Sequence, residues 1–128
     1  MKQFLLILLP VILLINNAAA QGTATDWFNK GVKLNDSARH SAAVTAYERA
    51  IALDANYSDA YYRLGWTYNE LAVYDKAIEK LIKALDLKKT DAFSMQELGY
   101  AYNKKGNYIE ALNYLNKAIY QKPDYARA

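Results

Sequence analysis

The chain of 128 residues contains no cysteine, a single histidine, five glycines and two prolines. Without cysteine there is no disulfide framework, no thiolate zinc site and no cysteine nucleophile. One histidine and so few glycines leave little from which to build a metal cluster or a phosphate-binding loop. No nucleophile elbow or dinucleotide-binding fingerprint occurs either. We therefore expect no enzyme activity, no cofactor and no metal.

A large excess of charge of one sign is also missing. Lysine and arginine number 16 against 13 aspartates and glutamates, and the basic residues are spread along the chain. A protein that neutralises phosphates normally carries a clustered basic patch, so we expect no nucleic-acid partner. What the chain does have is 53% hydrophobic residues and twelve tyrosines. This composition is typical of one folded domain with much amphipathic aromatic surface.

The N-terminal residues 1–20 have the pattern of a secretory signal peptide. Lys2 is followed by an apolar run over residues 4–15, and three alanines precede Gln21. A membrane-spanning helix needs about 20 apolar residues, which is more than this run supplies. The pattern predicts cleavage before Gln21 and an exported protein, periplasmic or secreted, without membrane contact after cleavage. An uncleaved membrane anchor is the alternative.

The rest of the chain repeats itself at a constant interval, which the positions of Gly31, Gly65 and Gly99 define. The same interval connects five further sets: Trp27, Tyr61 and Met95; Leu34, Tyr68 and Tyr102; Asn35, Asn69 and Asn103; Ala43, Ala77 and Ala111; Ala50, Ala84 and Ala118. A period of about 34 residues indicates tandem structural units. Within a domain over 21–128 we predict units at about 24–57, 58–91 and 92–125, with 126–128 as the start of a missing or truncated next helix.

Each unit has the pattern of two helices. In the second unit, apolar residues recur at Tyr61, Leu64, Tyr68 and Leu71, and a second apolar pattern follows over residues 77–85 after a short break. These spacings place the apolar residues on one face of each helix. One helix pair cannot bury its apolar face alone, whereas stacked pairs can. The sequence therefore predicts an all-α solenoid of three antiparallel helix-turn-helix repeats.

The second unit resembles the tetratricopeptide repeat (TPR) signature. The residues that carry the resemblance are Tyr61, Leu64, Gly65, Tyr68, Ala77, Leu81 and Ala84. The third unit matches the signature again up to Pro123, whereas Lys30 stands where the family has leucine in the first unit. The resemblance implies a right-handed superhelix that binds a protein or peptide segment in its concave groove.

The resemblance also places the first helix of each unit on the concave side. Three rows of residues share that face of the helices: Phe28, Tyr62 and Gln96; Val32, Trp66 and Tyr100; Asn35, Asn69 and Asn103. Aromatic side chains offer large contact areas, and asparagine suits the backbone of an extended peptide. We therefore predict that these nine residues bind the ligand. The alternative is that Trp66 and Tyr100 are core residues and the asparagines only cap or solvate helix ends.

Other functions remain open at this point. One TPR subtype binds a partner's C-terminal carboxylate, but the comparable positions here argue against such a clamp because they hold Phe28, Val32, Phe93 and Glu97. A structural scaffold or oligomerisation unit could act through the uncapped C-terminal face, where Leu112, Leu115 and Ile119 have only partial cover, and self-association is then possible. The chain could also be a fragment of a longer TPR protein, or the targeting part of an enzyme on a longer polypeptide.

Overall fold

The protein is described by a computed structural model that covers residues 22–122. The predicted signal peptide and residues 126–128 lie outside these described residues. Six α-helices follow one another: α1 Ala24–Asp36, α2 His40–Leu53, α3 Ser58–Glu70, α4 Tyr74–Leu87, α5 Ala92–Lys104 and α6 Tyr108–Gln121. No strand occurs over 22–122, so the all-α prediction is confirmed. None of these helices is long and apolar enough to cross a membrane.

Two of the six described helices, α1 and α5, begin at a residue whose side chain accepts a hydrogen bond from a free backbone amide. At α1, the Thr23 hydroxyl accepts a hydrogen bond from the Asp26 amide, and the Asp26 carboxylate accepts one from the Thr23 amide. At α5, the Asp91 carboxylate accepts one from the Phe93 amide. Such caps stabilise a helix by about 1 kcal/mol and fix its first residue.

The turn within each helix pair has the same backbone conformation. Ala38, Ala72 and Gly106 occupy the same position in the three units and have φ angles of 57°, 58° and 82°. After each of them, an amide bonds back to the carbonyl five residues earlier, from Arg39 to Leu34, from Val73 to Tyr68 and from Asn107 to Tyr102. The left-handed conformation suits glycine, whereas alanine adopts it at a cost of about 1 kcal/mol.

Close approach of the two helices in each pair requires the repeated glycine. A Cβ atom on Gly31 would lie 2.6 Å from the Tyr47 ring, and one on Gly99 would lie 2.6 Å from Cγ of Leu115. A Cβ atom on Gly65 would collide with Leu81. The large residue of the second helix therefore packs directly on the glycine backbone of the first. The core continues through Leu64 and Leu98, which are fully buried, so the stacked helix pairs share one hydrophobic core.

Candidate functional site

The row Phe28, Tyr62 and Gln96 lies on α1, α3 and α5. The Phe28 ring is half-buried, and its centroid lies 5.8 Å from that of Tyr47 and 5.0 Å from that of Tyr57. Tyr62 is also half-buried, 6.2 Å from Phe93, whereas Gln96 is exposed. Because Phe28 and Tyr62 each pack partly against a neighbouring ring, each presents only part of its ring to solvent.

In the second row, Trp66 and Tyr100 each pack against the second helix of the preceding pair. The Trp66 ring lies 5.9 Å from His40, the first residue of α2, and the Tyr100 ring lies 6.3 Å from Tyr74, the first residue of α4. Both contacts are edge-on, an arrangement that aromatic pairs favour. Val32 and Trp66 are half-buried, but Tyr100 is 41% exposed. The two rings are therefore held in place and still accessible.

Asn35 in the third row is a buried connector between three helices. Its Nδ2 group donates hydrogen bonds to the Tyr47 hydroxyl at 3.2 Å and to the Thr67 hydroxyl at 2.7 Å. Its Oδ1 atom lies 3.1 Å from Nδ1 of His40. Both amide hydrogens and the carbonyl oxygen thus have partners on α2 and α3, and the side chain has no hydrogen left to offer a ligand.

Asn69 is buried in the same way, between α3 and α5. Its Nδ2 group donates to the backbone carbonyl of Glu97 at 3.1 Å and to the Glu97 carboxylate at 3.0 Å. Its Oδ1 atom is buried and has no hydrogen-bond partner among the described residues. Of the three asparagines, only Asn103 has an exposed side chain. The expected ladder of three accessible asparagines is thus not formed, because two of them join successive helices instead of capping or solvating helix ends.

Burial is the main influence on the pKa of the Glu97 carboxyl. It raises the pKa of the carboxyl above its ordinary value, the hydrogen bond from Asn69 opposes this rise, and the negative charge of Glu70 adds to it. The ionised carboxylate therefore lowers the stability of the folded state at neutral pH. This loss is relieved as the pH falls through the raised pKa toward the ordinary one.

Replacing Glu97 with glutamine should consequently raise the melting temperature at pH 7. Glutamine keeps an oxygen that accepts from Asn69 and carries no charge, and we expect a gain of no more than about 1 kcal/mol because Glu97 is partly exposed. Thermal melts at pH 7 and pH 4 check this, since the gain should shrink at pH 4. Glu110→Gln, an exposed residue of α6 that does not act on the Glu97 carboxyl, is the control. An equal gain at both pH values would contradict the role of ionisation.

Of the nine predicted residues, Asn35 and Asn69 are buried, and the other seven are half-buried or exposed. Six of them (Phe28, Tyr62, Gln96, Val32, Trp66 and Tyr100) lie on a mostly aromatic surface that crosses α1, α3 and α5, here called the aromatic groove. Asn103 is exposed at its edge. Residues 22–122 contain no group of three or more acidic or histidine residues placed to hold a metal ion. Aromatic rings and the exposed amides of Gln96 and Asn103 are the groups that this surface presents.

The family of the chain follows from its sequence and its helix pattern together. The family model of the tetratricopeptide repeat matches residues 3–127. The chain belongs to the TPR family. This confirms the resemblance found in the repeat pattern. The family is generally a non-enzymatic fold for protein interactions.

Solved structures share the fold of this TPR protein. The crystal structure of MamA is 35% identical in sequence, with a TM-score of 0.76 over 83% of this chain and 62% of MamA. The chain thus spans less than two thirds of MamA. YrrB, described as a TPR protein with an unusual peptide-binding site, is 23% identical, with a TM-score of 0.78 over 82% of this chain and 54% of YrrB.

A third neighbour is the first TPR domain of Spaghetti bound to an HSP90 peptide. It is 17% identical, with a TM-score of 0.78 over 79% of this chain and 80% of that domain. At these identities YrrB and Spaghetti show likeness of fold alone. No curated protein sequence matches the chain. The solenoid prediction is confirmed by the fold that all three structures share with the TPR protein.

Proposed function

We propose that this TPR protein is an exported, non-enzymatic module that binds a peptide or protein segment in the aromatic groove. The observation that carries the proposal is the pair Trp66 and Tyr100. Each ring is fixed edge-on by the first residue of the preceding second helix and still presents a side to solvent. A ring that is already fixed loses little conformational entropy when a ligand packs on it, so it contributes more of its contact energy to affinity.

The fold of the groove adds support. Spaghetti holds a peptide on a TPR domain of the same fold, and YrrB is described by its peptide-binding site. The mixed charges beside the rings, such as Arg63, Glu97 and Lys104, do not select a ligand of one sign. The ligand that fits best is therefore an extended segment with apolar or aromatic anchor side chains.

The test of this proposal is a selection of peptides on the purified chain followed by titration. A displayed library of random peptides supplies the ligand, and fluorescence anisotropy of the selected peptides gives the dissociation constant. Tyr100→Ala should weaken binding by about tenfold or more, because truncating an aromatic anchor typically costs about 1–2 kcal/mol. Leu53→Ala, which removes an exposed apolar side chain from α2, is the control. If Tyr100→Ala binds the selected peptides as tightly as the control variant does, the groove hypothesis is wrong.

Export is tested separately by mass spectrometry of the chain after expression from residue 1 in a secreting bacterium. The signal peptide predicts a mature protein that begins at Gln21. A chain recovered from the membrane with its N-terminal residues 1–20 intact would favour the anchor instead.

A further inference from the structure

The last described helix, α6, has an apolar side that no other described element covers. Tyr108, Leu112, Leu115 and Ile119 are exposed by 68%, 60%, 37% and 45%. The residues at the corresponding positions of α4 are Tyr74, Ile78, Leu81 and Leu85, and all of them are at least half-buried because α5 packs on that side. A further helix packed on α6 in the same manner would cover these four residues.

The apolar side of α6 is wider than such a helix would need. Asp75 and Asp86 of α4 are exposed beside α5, and their counterparts on α6 are Ile109 and Tyr120, each 83% exposed. The counterpart of Glu79 is Asn113, which is uncharged. A further repeat would leave these positions largely in solvent, since the Asp75 side chain stays 80% exposed although it forms an ion pair with Lys105 of the following helix pair. Their change from acidic to apolar or neutral therefore indicates a different contact.

The uncharged side can be defined by helical geometry. At 100° per residue, eight residues of α6 fall within an arc of roughly 160°. They are Tyr108, Ile109, Leu112, Asn113, Leu115, Asn116, Ile119 and Tyr120, here called the α6 arc. The charged residues of this helix, Lys117 and Glu110, lie outside the arc, about 40° and 60° beyond Asn113. A copy of the α6 arc can therefore pack on another copy without bringing like charges together.

The other end of the solenoid is chemically different. On α3, the residues that pack under the preceding helix pair include Ala60, Leu64 and Thr67, which are fully buried. Their counterparts on α1 are Asp26, Lys30 and Lys33, which are exposed. Burying these charges against an apolar surface would be strongly unfavourable. The α1 end of one copy thus cannot cover the α6 end of another, which excludes head-to-tail stacking.

We propose that two copies of the chain associate tail to tail through the α6 arc, with their α6 helices antiparallel about a two-fold axis. The same patch then serves both copies, as closed symmetry requires. Ile109 then packs near the C-terminal end of the partner's α6. The apolar residues of each α6 arc pack against those of the other arc. The two aromatic grooves stay open, so a dimer presents two ligand sites and can gain avidity from a divalent partner.

The first test measures the mass of the full chain in solution by sedimentation equilibrium. Concentrations from roughly 1 to 200 µM are suitable, because one helix per subunit buries less than the ~800 Å² of a standard interface. Ile109→Asp with Tyr120→Asp gives α6 the residues that α4 already carries, so the fold should be retained, as circular dichroism will show. We expect the dissociation constant to rise at least about tenfold. Lys117→Glu changes the net charge by the same amount at a position outside the α6 arc and should leave the dimer intact.

A second measurement does not depend on destabilising the surface. Because the chain has no cysteine, a single introduced cysteine can form a disulfide only between two copies. Asn116→Cys, which lies near the centre of the α6 arc, should crosslink rapidly under oxidation, and Lys117→Cys, about 120° from that centre, should crosslink far more slowly. Three results would overturn the proposal. They are a monomer at all concentrations, an unchanged dissociation constant of the dimer after the double substitution, and crosslinking of both cysteine variants at the same rate. A monomeric chain that floats with anionic lipid vesicles through Ile109 and Tyr120 would show a membrane contact instead.

Discussion

Shortening Leu81 to alanine should lower the free energy of unfolding by about 2–5 kcal/mol, and Gly65→Ala should recover part of that loss. Leu81 is fully buried, and its side chain packs on the backbone of Gly65. Removing it leaves a cavity in the middle helix pair, which a core of this kind cannot refill by itself. The cavity lies where a methyl group on residue 65 would project, so the second substitution fills space that the first one empties.

Alone, Gly65→Ala should be destabilising. The added methyl group collides with Cγ of Leu81, which is near the backbone and cannot swing away. Overpacking of this kind costs about 1–3 kcal/mol, of which the better helix propensity of alanine offsets about 1 kcal/mol. Urea denaturation of the two single variants and the double variant gives the coupling energy, expected at about 1–3 kcal/mol.

The end of the solenoid provides the control for this cycle. Gly99→Ala meets Leu115 in the same way, but Leu115 is 37% exposed and has room to move outward. Gly99→Ala should therefore destabilise the protein less than Gly65→Ala. If the Gly65 and Leu81 effects simply add, the close contact between α3 and α4 is not what makes glycine necessary there.

The period of the sequence was sufficient to predict the fold because the fold depends on residues that recur. The glycine at 31, 65 and 99 and the small residue at 43, 77 and 111 set the distance between paired helices, and both recur once in every unit. The apolar periodicity then fixes which side of each helix faces the next pair. Nothing in this inference needs knowledge of a particular side-chain contact.

The roles of the asparagines could not be predicted, because a period shows recurrence and not environment. Asn35 and Asn69 lie on the same helical side as the aromatic rows, and nothing in that pattern tells a groove residue from one that reaches back to the next helix pair. The partners differ between units as well. Thr67 accepts a hydrogen bond from Asn35, whereas its counterpart in the third unit is Ala101. The hydroxyl of Thr67, at a position where the third unit has Ala101, was the one available signal.

The absence of charge from the α6 arc could have been found in the sequence, but only by comparing α6 with the corresponding positions of α4. Leu112, Leu115 and Ile119 stand out as an uncapped apolar stripe in isolation. Ile109 and Tyr120 become informative only beside Asp75 and Asp86, their counterparts in the preceding unit. In a repeat protein, the deviation of one unit from the others is thus a better indicator of a unit-specific contact than the shared pattern.

Asn35→Asp should destabilise the protein by roughly 2–3 kcal/mol at pH 7, while the same change at Asn103 should have almost no effect. The amide of Asn35 donates to Tyr47 and Thr67, and a carboxylate has no hydrogen to give either of them. It would also place a charge at a position that is only 9% exposed. The Tyr47 hydroxyl and Nδ1 of His40 can donate to the new carboxylate, which compensates part of its charge. The Thr67 hydroxyl already donates to the Arg63 carbonyl, so its oxygen would face the carboxylate without a hydrogen between them. For a domain of this size, the melting temperature should fall by more than about 10 °C.

The pH dependence separates this explanation from a general loss of packing. Burial raises the pKa of a carboxyl, so the introduced group should take up a proton as the pH falls below neutrality. The protonated carboxyl has the shape of the amide and can donate one hydrogen bond. The deficit relative to the parent protein should therefore shrink between pH 7 and pH 4 for Asn35→Asp, measured by calorimetry at each pH. Asn103→Asp, on an exposed side chain at the same position of its unit, should melt like the parent throughout. If both variants behaved alike, Asn35 would be accessible in solution and its prediction as a groove residue would regain its force.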